Sequence, residues 1–385
     1  MKIIIGYVSA ADPFHDRKAW SGTIYKLREA IEMAGFEVRW IPYNPNYGRS
    51  SWHSRINDYC WRVRRKITHK KALGDVHSIS NVRRYAQSID IKKVNECDYL
   101  FFPGRAQIGL FLKTEVPIIF LADATIHVMI DYYYYNIDKR SVRIARELVE
   151  KTCQKSFINI RSSQWAIDSV INDCHADKTK CYLLEFGANI DEKDIEPVPV
   201  YNGGALNILF SGVDWKRKGG DVAVETARLL REKGIDAKLT IVGIKELPSE
   251  YNDCDFIDFR GFLDKNNTES YKEYIQLYKQ SHLSLLPTKA ECSAIVFSEA
   301  AGFGIPCYTY ATGGTTNYVI NECNGFAFPM GSTPSVFADK IYDDLKNGRF
   351  KSYHDNALEL YKNKLSWKAW ANRFKEILTN NHARM

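Results

Sequence analysis

The sequence predicts an α/β protein of two domains, each built on a parallel sheet. Three observations carry this expectation. Short apolar runs alternate with longer helix-period segments, the pattern of βαβ units. The series of apolar runs stops once and begins afresh, with a stretch of linker composition between. A chain of 385 residues is also long for one core and natural for two.

In the first series, residues 3–8, 38–41, 99–102, 116–121, 156–159 and 180–184 read as strands. Trp20-Ser21-Gly22-Thr23 lead into a helix that stops at Gly35, and Ser163 is the expected N-cap of another. Gly187-Ala188-Asn189-Ile190-Asp191 and the acidic, proline-bearing stretch through Pro197 and Pro199 read as the linker. The domains are therefore placed at residues 1–190 and 201–365. The second series has strands at 206–210, 238–242, 256–259, 283–286 and 307–310, and Asn324-Gly325-Phe326 turn into a further short one. After Gly219-Gly220, the stripe Val222, Ala223, Thr226, Leu229 and Leu230 marks a helix closed by Gly234. Residues 366–380 form an amphipathic helix with Ser366 as N-cap and Trp367, Trp370, Phe374 and Ile377 on one face.

Composition excludes several classes. Hydrophobic content of 45% and charged content of 26% are those of an ordinary globular protein. No apolar run approaches the roughly 20 residues that span a bilayer. The N-terminal run lacks a signal-peptide cleavage pattern, so the expected compartment is the cytoplasm, with reduced thiols. Nine cysteines without Cys-x-x-Cys spacing disfavour a zinc site or redox pair. No Asp-x-Asp stands in metal-site context, so no metal and no other cofactor is expected. The net charge of +7 is concentrated at Arg62, Arg64, Arg65, Lys66, Lys70 and Lys71. Within 55–71, Ile56, Cys60, Val63 and Ile67 recur at helical spacing opposite Arg62, Arg65, Lys66 and Lys70. Two readings stay open: a solvated helix face, and a peripheral contact with the anionic inner face of a membrane.

The chemistry concentrates in the second half. Glu291 and Glu299 lie eight positions apart, and Glu299 opens a Glu-Ala-x-x-x-Gly-x-Pro run ending at Pro306. Eight helical steps would turn the second acid about 80° from the first. The pair works best with Glu291 in a strand-exit loop and Glu299 a turn or two inside the next helix. Backbone N–H groups of Cys292, Ser293 and Ala294 then stand at the helix start, where an anion or sugar oxygens can bind. By itself the spacing is weak, since one or two chance matches are expected in roughly 400 residues. After the strand 206–210, the loop Ser211-Gly212-Val213-Asp214-Trp215-Lys216-Arg217-Lys218-Gly219-Gly220 sets Lys218 beside a helix start, two sources of positive potential for a departing diphosphate.

Together these motifs resemble the retaining family-4 glycosyltransferases. The resemblance spans nearly the whole chain, densest from Phe157 to Asn324. It implies the GT-B arrangement, two Rossmann-like doubly wound domains facing across a cleft, with the last helix returning to the first domain. The activity it implies is a retaining hexosyl transfer from a nucleotide-diphosphate sugar to a hydroxyl acceptor, a glycan or lipid-linked glycan in polysaccharide assembly. Glu299 would then bind the ribose, and Glu291 and Lys218 would act at the reacting centre with Asp123 from the first domain. Asp123 stands where many relatives have a histidine. Gly212 and Arg217 belong to the diphosphate loop, although Val213 replaces the family's arginine. Gly22 faces the donor phosphate, Gly261 and Phe262 face the base, and the donor run continues through Cys292, Ser293, Ala294 and Ile295. His127 and Thr125 are acceptor-side candidates. One rival is a sugar-nucleotide epimerase or hydrolase on the same fold. A non-catalytic nucleic-acid binder is the alternative from another class; no recognised module supports it, and nucleic acid is not an expected partner.

Overall fold

A computed structural model describes residues 2–383. Residues up to Leu184 and from Ala371 onward form one compact unit, and Glu185–Trp370 form the other. The chain changes units ahead of the linker, six residues before the boundary placed from sequence.

The first unit is a six-stranded parallel sheet, ordered β2-β1-β3-β4-β5-β6. Its elements run β1 (Ile4–Ser9), α1 (Thr23–Met33), β2 (Glu37–Pro42), α2 (Trp52–Thr68), α3 (Ile79–Gln87), α4 (Ile91–Asn95), β3 (Tyr99–Pro103), β4 (Ile118–Ala122), α5 (Ile126–Met129), α6 (Lys139–Lys155), β5 (Ile158–Arg161), α7 (Gln164–Asn172) and β6 (Cys181–Leu183). Every residue of β3, β4 and β5 is buried, as expected for parallel strands covered on both faces. Asp138 caps α6 by accepting from the backbone N–H groups of Arg140 and Ser141, and Ser163 caps α7 through Ala166.

The second unit repeats the plan with order β12-β11-β10-β7-β8-β9, again parallel throughout. Its elements are β7 (Leu206–Ser211), α8 (Trp215–Lys218), α9 (Gly220–Glu232), β8 (Ala237–Val242), β9 (Ile257–Gly261), α10 (Thr268–Lys279), β10 (Leu283–Leu286), α11 (Ile295–Gly302), β11 (Cys307–Tyr310), β12 (Gly325–Phe328), α12 (Pro334–Lys346) and α13 (Arg349–Leu360). The final helix, α14 (Trp367–His382), begins in this unit and ends in the first. The face expected to act as one stripe therefore divides. Trp367 stacks on Phe186 in the second unit, while Phe374 meets Phe36 and Phe101 edge-on in the first. Among the described residues, no helix is long and apolar enough to cross a membrane.

Candidate active site

In the second sheet the chain leaves β7 in both directions: β8 and β9 lie on one side, β10, β11 and β12 on the other. The loops that follow β7 and β10 therefore part at a crevice beyond the strands' carboxyl ends, where open parallel sheets bind ligands. The segments that follow these two strands carry Arg217, Lys218 and Glu291.

The loop after β7 closes quickly into α8, because Asp214 accepts from the Arg217 N–H at 3.0 Å. Its end is tied to the loop after β10 at several points. Arg217 takes the Lys289 N–H on its carbonyl at 2.7 Å and donates Nη1 to the Ala290 carbonyl at 3.0 Å. Lys218 Nζ donates to Glu291 Oε2, and Arg217 Nη1 lies 3.9 Å from the same oxygen. Lys218 is 8% exposed and Glu291 9%, so this pair acts in a poorly screened setting. Two glycines make the geometry. A Cβ on Gly212 would stand 2.9 Å from Lys218 Cγ, so only bare backbone lets the lysine lie where it does. Gly219 sits at φ +75°, with the Pro287 carbonyl 2.2 Å from the place of its missing Cβ. Lys218 thus ends α8 instead of opening α9, and Gly219 makes the turn between them.

Glu299 lies in α11, at 1% exposure. Its Oε1 accepts from Lys265 Nζ at 2.7 Å, and its Oε2 accepts from Tyr274 at 2.7 Å and Tyr278 at 2.9 Å. Tyr274 is in turn 3.2 Å from the Ser211 hydroxyl at the end of β7, so this network borders the Lys218 loop. Burial works against a charge on Lys265, but Glu299 and Tyr274 outweigh it and hold its pKa above the ordinary value. Burial, reinforced by the carboxylate, pushes Tyr274 up to about 12 and Tyr278 well above its usual value. At neutral pH Lys265 is therefore an ammonium and both phenols are neutral.

The other candidates fall in both units. Gly261 ends β9 at φ +66°, and Phe262 beside it is 57% exposed. Cys292 and Ala294 are buried, Ser293 and Ile295 half-buried; Ala294 is the N-cap of α11, and the Ile295 N–H is held by the Ser293 carbonyl at 2.9 Å. In the first unit, Gly22 is the left-handed N-cap of α1 and Asp123 is half-buried just past β4. Thr125 and His127 are each held by neighbours within the first unit. The Thr125 hydroxyl, 1% exposed, bonds to Ser169 at 2.5 Å. His127 has Nε2 3.1 Å from Glu150 and Nδ1 3.7 Å from the Cys174 sulfur, and burial lowers its pKa. Sequence reasoning missed Lys265, Tyr274 and Tyr278. The i, i+4 spacing of the two tyrosines on α10 was the only available signal.

Residues 191–359 match the family described as glycosyl transferases group 1. A search of curated proteins finds no match. Among solved structures, a sucrose-phosphate synthase from Thermosynechococcus elongatus is similar, with TM-score 0.69, 16% identity and 100% of both chains covered. A glycosyltransferase from Rickettsia africae is similar with TM-score 0.66 and 16% identity, again over 100% of both chains. Anabaena HepE, solved with UDP and glucose, gives TM-score 0.62 and 12% identity over 98% of this chain and 100% of that one. At such identities the likeness is one of fold: α/β, two Rossmann-like units, the GT-B class. The stretch that matches the glycosyl transferases group 1 model, residues 191–359, lies within the second unit and contains the Lys218–Glu291 pair.

Proposed function

We propose that this protein moves a sugar from a nucleoside-diphosphate sugar to a hydroxyl acceptor, a glycan or a lipid-linked glycan, with retention at the anomeric carbon. The observation that carries the donor half is the Lys218–Glu291 pair joining the loops after β7 and β10 at the switch point, with Arg217 beside it. Support for a uracil nucleotide comes from HepE, whose structure holds UDP and glucose. Retention and the acceptor class rest on the resemblance to family 4.

In this reading Glu291 holds Lys218 Nζ in place before the donor arrives. The diphosphate oxygens then compete for that ammonium, and Lys218 with Arg217 stabilises the charge that grows as the sugar–phosphate bond breaks. Charge stabilisation is assigned to these two cations, with no metal in the reaction. Gly212 has no side chain, which lets Lys218 lie across it and carry Nζ to Glu291.

The test is calorimetric titration with UDP, GDP, ADP and their sugars, followed by product analysis with and without excess chelator. One nucleotide should bind with clear preference, and its sugar should be transferred to an added acceptor. Free sugar released with no acceptor would assign the protein to the hydrolase class instead. Activity lost to chelator and restored by magnesium would remove the metal-free assignment.

A further inference from the structure

A cavity of about 480 Å³ lies within the first unit, walled by α2, the start of α3 and the start of α6. Pockets of roughly 300–1,000 Å³ are the usual size for small ligands. Ile56, Leu73, Ile79 and Ile144 make its wall apolar, and α2 adds Cys60 and Trp61. Arg64, Arg83 and Arg140 line it as well, and no Asp or Glu does. Arg64 is neutralised by Asp138, through Nε at 2.8 Å. Arg83 and Arg140 are exposed, and neither has an ion-pair partner among the described residues. Arg83 is steadied by the Phe111 ring, 5.3 Å from its guanidinium carbon. The wall also holds His77, whose Nδ1 is buried without a hydrogen-bond partner.

The combination selects its occupant. A neutral hydrocarbon would satisfy the isoleucines and leave the two guanidinium groups to water alone. A small inorganic anion would satisfy the guanidinium groups and leave the apolar wall wet. We infer that this cavity is a binding site for a phosphorylated single-chain amphiphile, with its hydrocarbon against Ile56, Trp61, Leu73 and Ile144 and its phosphate between Arg83 and Arg140. The site is separate from the donor loops of the second unit, and binding to it stands whether or not the protein transfers sugar.

The probes are octyl, decyl and dodecyl phosphate below their micelle thresholds, titrated into the full chain by calorimetry and by fluorescence, with Trp61→Phe identifying the responding indole. Saturable one-to-one binding is expected, tightening about 15-fold from octyl to decyl as two methylenes leave water. Arg83→Ala with Arg140→Ala should weaken dodecyl phosphate by tenfold or more and leave dodecanol unchanged. Ile144→Trp, checked for native circular dichroism, should weaken both by filling the space; the exposed arginine variants carry the test if it misfolds. Inorganic phosphate binding as tightly as dodecyl phosphate would overturn the inference. So would equal binding of dodecyltrimethylammonium, or an unchanged affinity in the double arginine variant.

Discussion

Lys265→Met removes one of three hydrogen-bond donors from a carboxylate that is 1% exposed. Breaking a fully buried ion pair costs about 3–5 kcal/mol, because the remaining charge is left desolvated. Two features reduce that cost here. Lys265 is 23% exposed, so water can partly replace the ammonium, and two phenols still donate to Glu299. A loss of about 2–3 kcal/mol is expected, a fall in Tm of about 5–10 °C for a unit of this size. Scanning calorimetry reads it, and a double-mutant cycle isolates its cause. Glu299→Gln alone should cost a similar amount, whereas Lys265→Met with Glu299→Gln should recover about 1.5 kcal/mol or more of the summed losses. The pH dependence is fixed by the raised pKa of Lys265. Its contribution is complete below the unfolded value near 10.4 and is lost only as pH rises through the higher folded value. The Tm gap between wild type and Lys265→Met should therefore be flat from pH 6 to 9 and close only above about 10.5. Simple additivity in the cycle, or a gap that closes at neutral pH, would refute the ion-pair argument.

Lys218→Ala should lower kcat about 10²- to 10³-fold in an assay of nucleoside diphosphate release, with native circular dichroism retained. Arg217→Ala should cost less, since that guanidinium is also tied to the Ala290 carbonyl. Gly219→Ala meets both a left-handed backbone and the Pro287 carbonyl, so a loss of about 3 kcal/mol or more in urea unfolding is expected. Asp138 is desolvated, but Arg64 and the N–H groups of Ser141 and Arg140 outweigh that and lower its pKa. Its contribution is present above the unfolded value near 3.9 and is lost as pH falls through the lower folded one. Asp138→Asn keeps the helix cap, so it should cost about 1 kcal/mol at pH 7, a gap that closes below pH 4 in thermal melts.

The fold was legible because parallel strands buried on both faces write themselves as continuous apolar runs. The stretches 99–102 and 283–286 differ from β3 and β10 by at most one residue. The strand placed at 156–159 runs instead from Ile158 to Arg161, because Ser156 belongs to the end of α6, where its hydroxyl bonds back to Thr152. The helix of 55–71 was legible as a helix. What its stripe faces was not, since Ile56 and Ile67 are 41% and 74% exposed and periodicity reports a face without its neighbour. At the site, Glu291, Lys218 and Gly212 were legible as a motif. Lys265 was not, because it reaches Glu299 from the loop after β9 across 34 positions of sequence, a distance no local pattern encodes. What holds Thr125 and His127 was hidden for a related reason: a strand-end loop shows its polar residues in sequence without showing which of them turn inward.

The two acids of the motif share a design that sequence conceals. Each is neutralised by a lysine from another loop, Glu291 by Lys218 after β7 and Glu299 by Lys265 after β9. Before either can touch a sugar or ribose, it anchors a wall of the site. For Glu299 the arithmetic of lone pairs is restrictive. A carboxylate has about four acceptor positions. Lys265, Tyr274 and Tyr278 take three, leaving one on Oε1. A ribose offers two hydroxyls, so only one can be received while Lys265 stays in place. If Glu299 reads the ribose, deleting that hydroxyl should weaken nucleotide binding about 10- to 100-fold, the worth of a hydrogen bond to a charged group. Deleting the other should change little. Titrating the 2′- and 3′-deoxy forms of the preferred nucleoside diphosphate measures both. In Lys265→Met a second position opens, and both deletions should then weaken binding. Equal losses from the two deoxy nucleotides in the wild type would mean that Lys265 leaves Glu299 when the nucleotide binds. No loss from either would mean that Glu299 is an anchor alone.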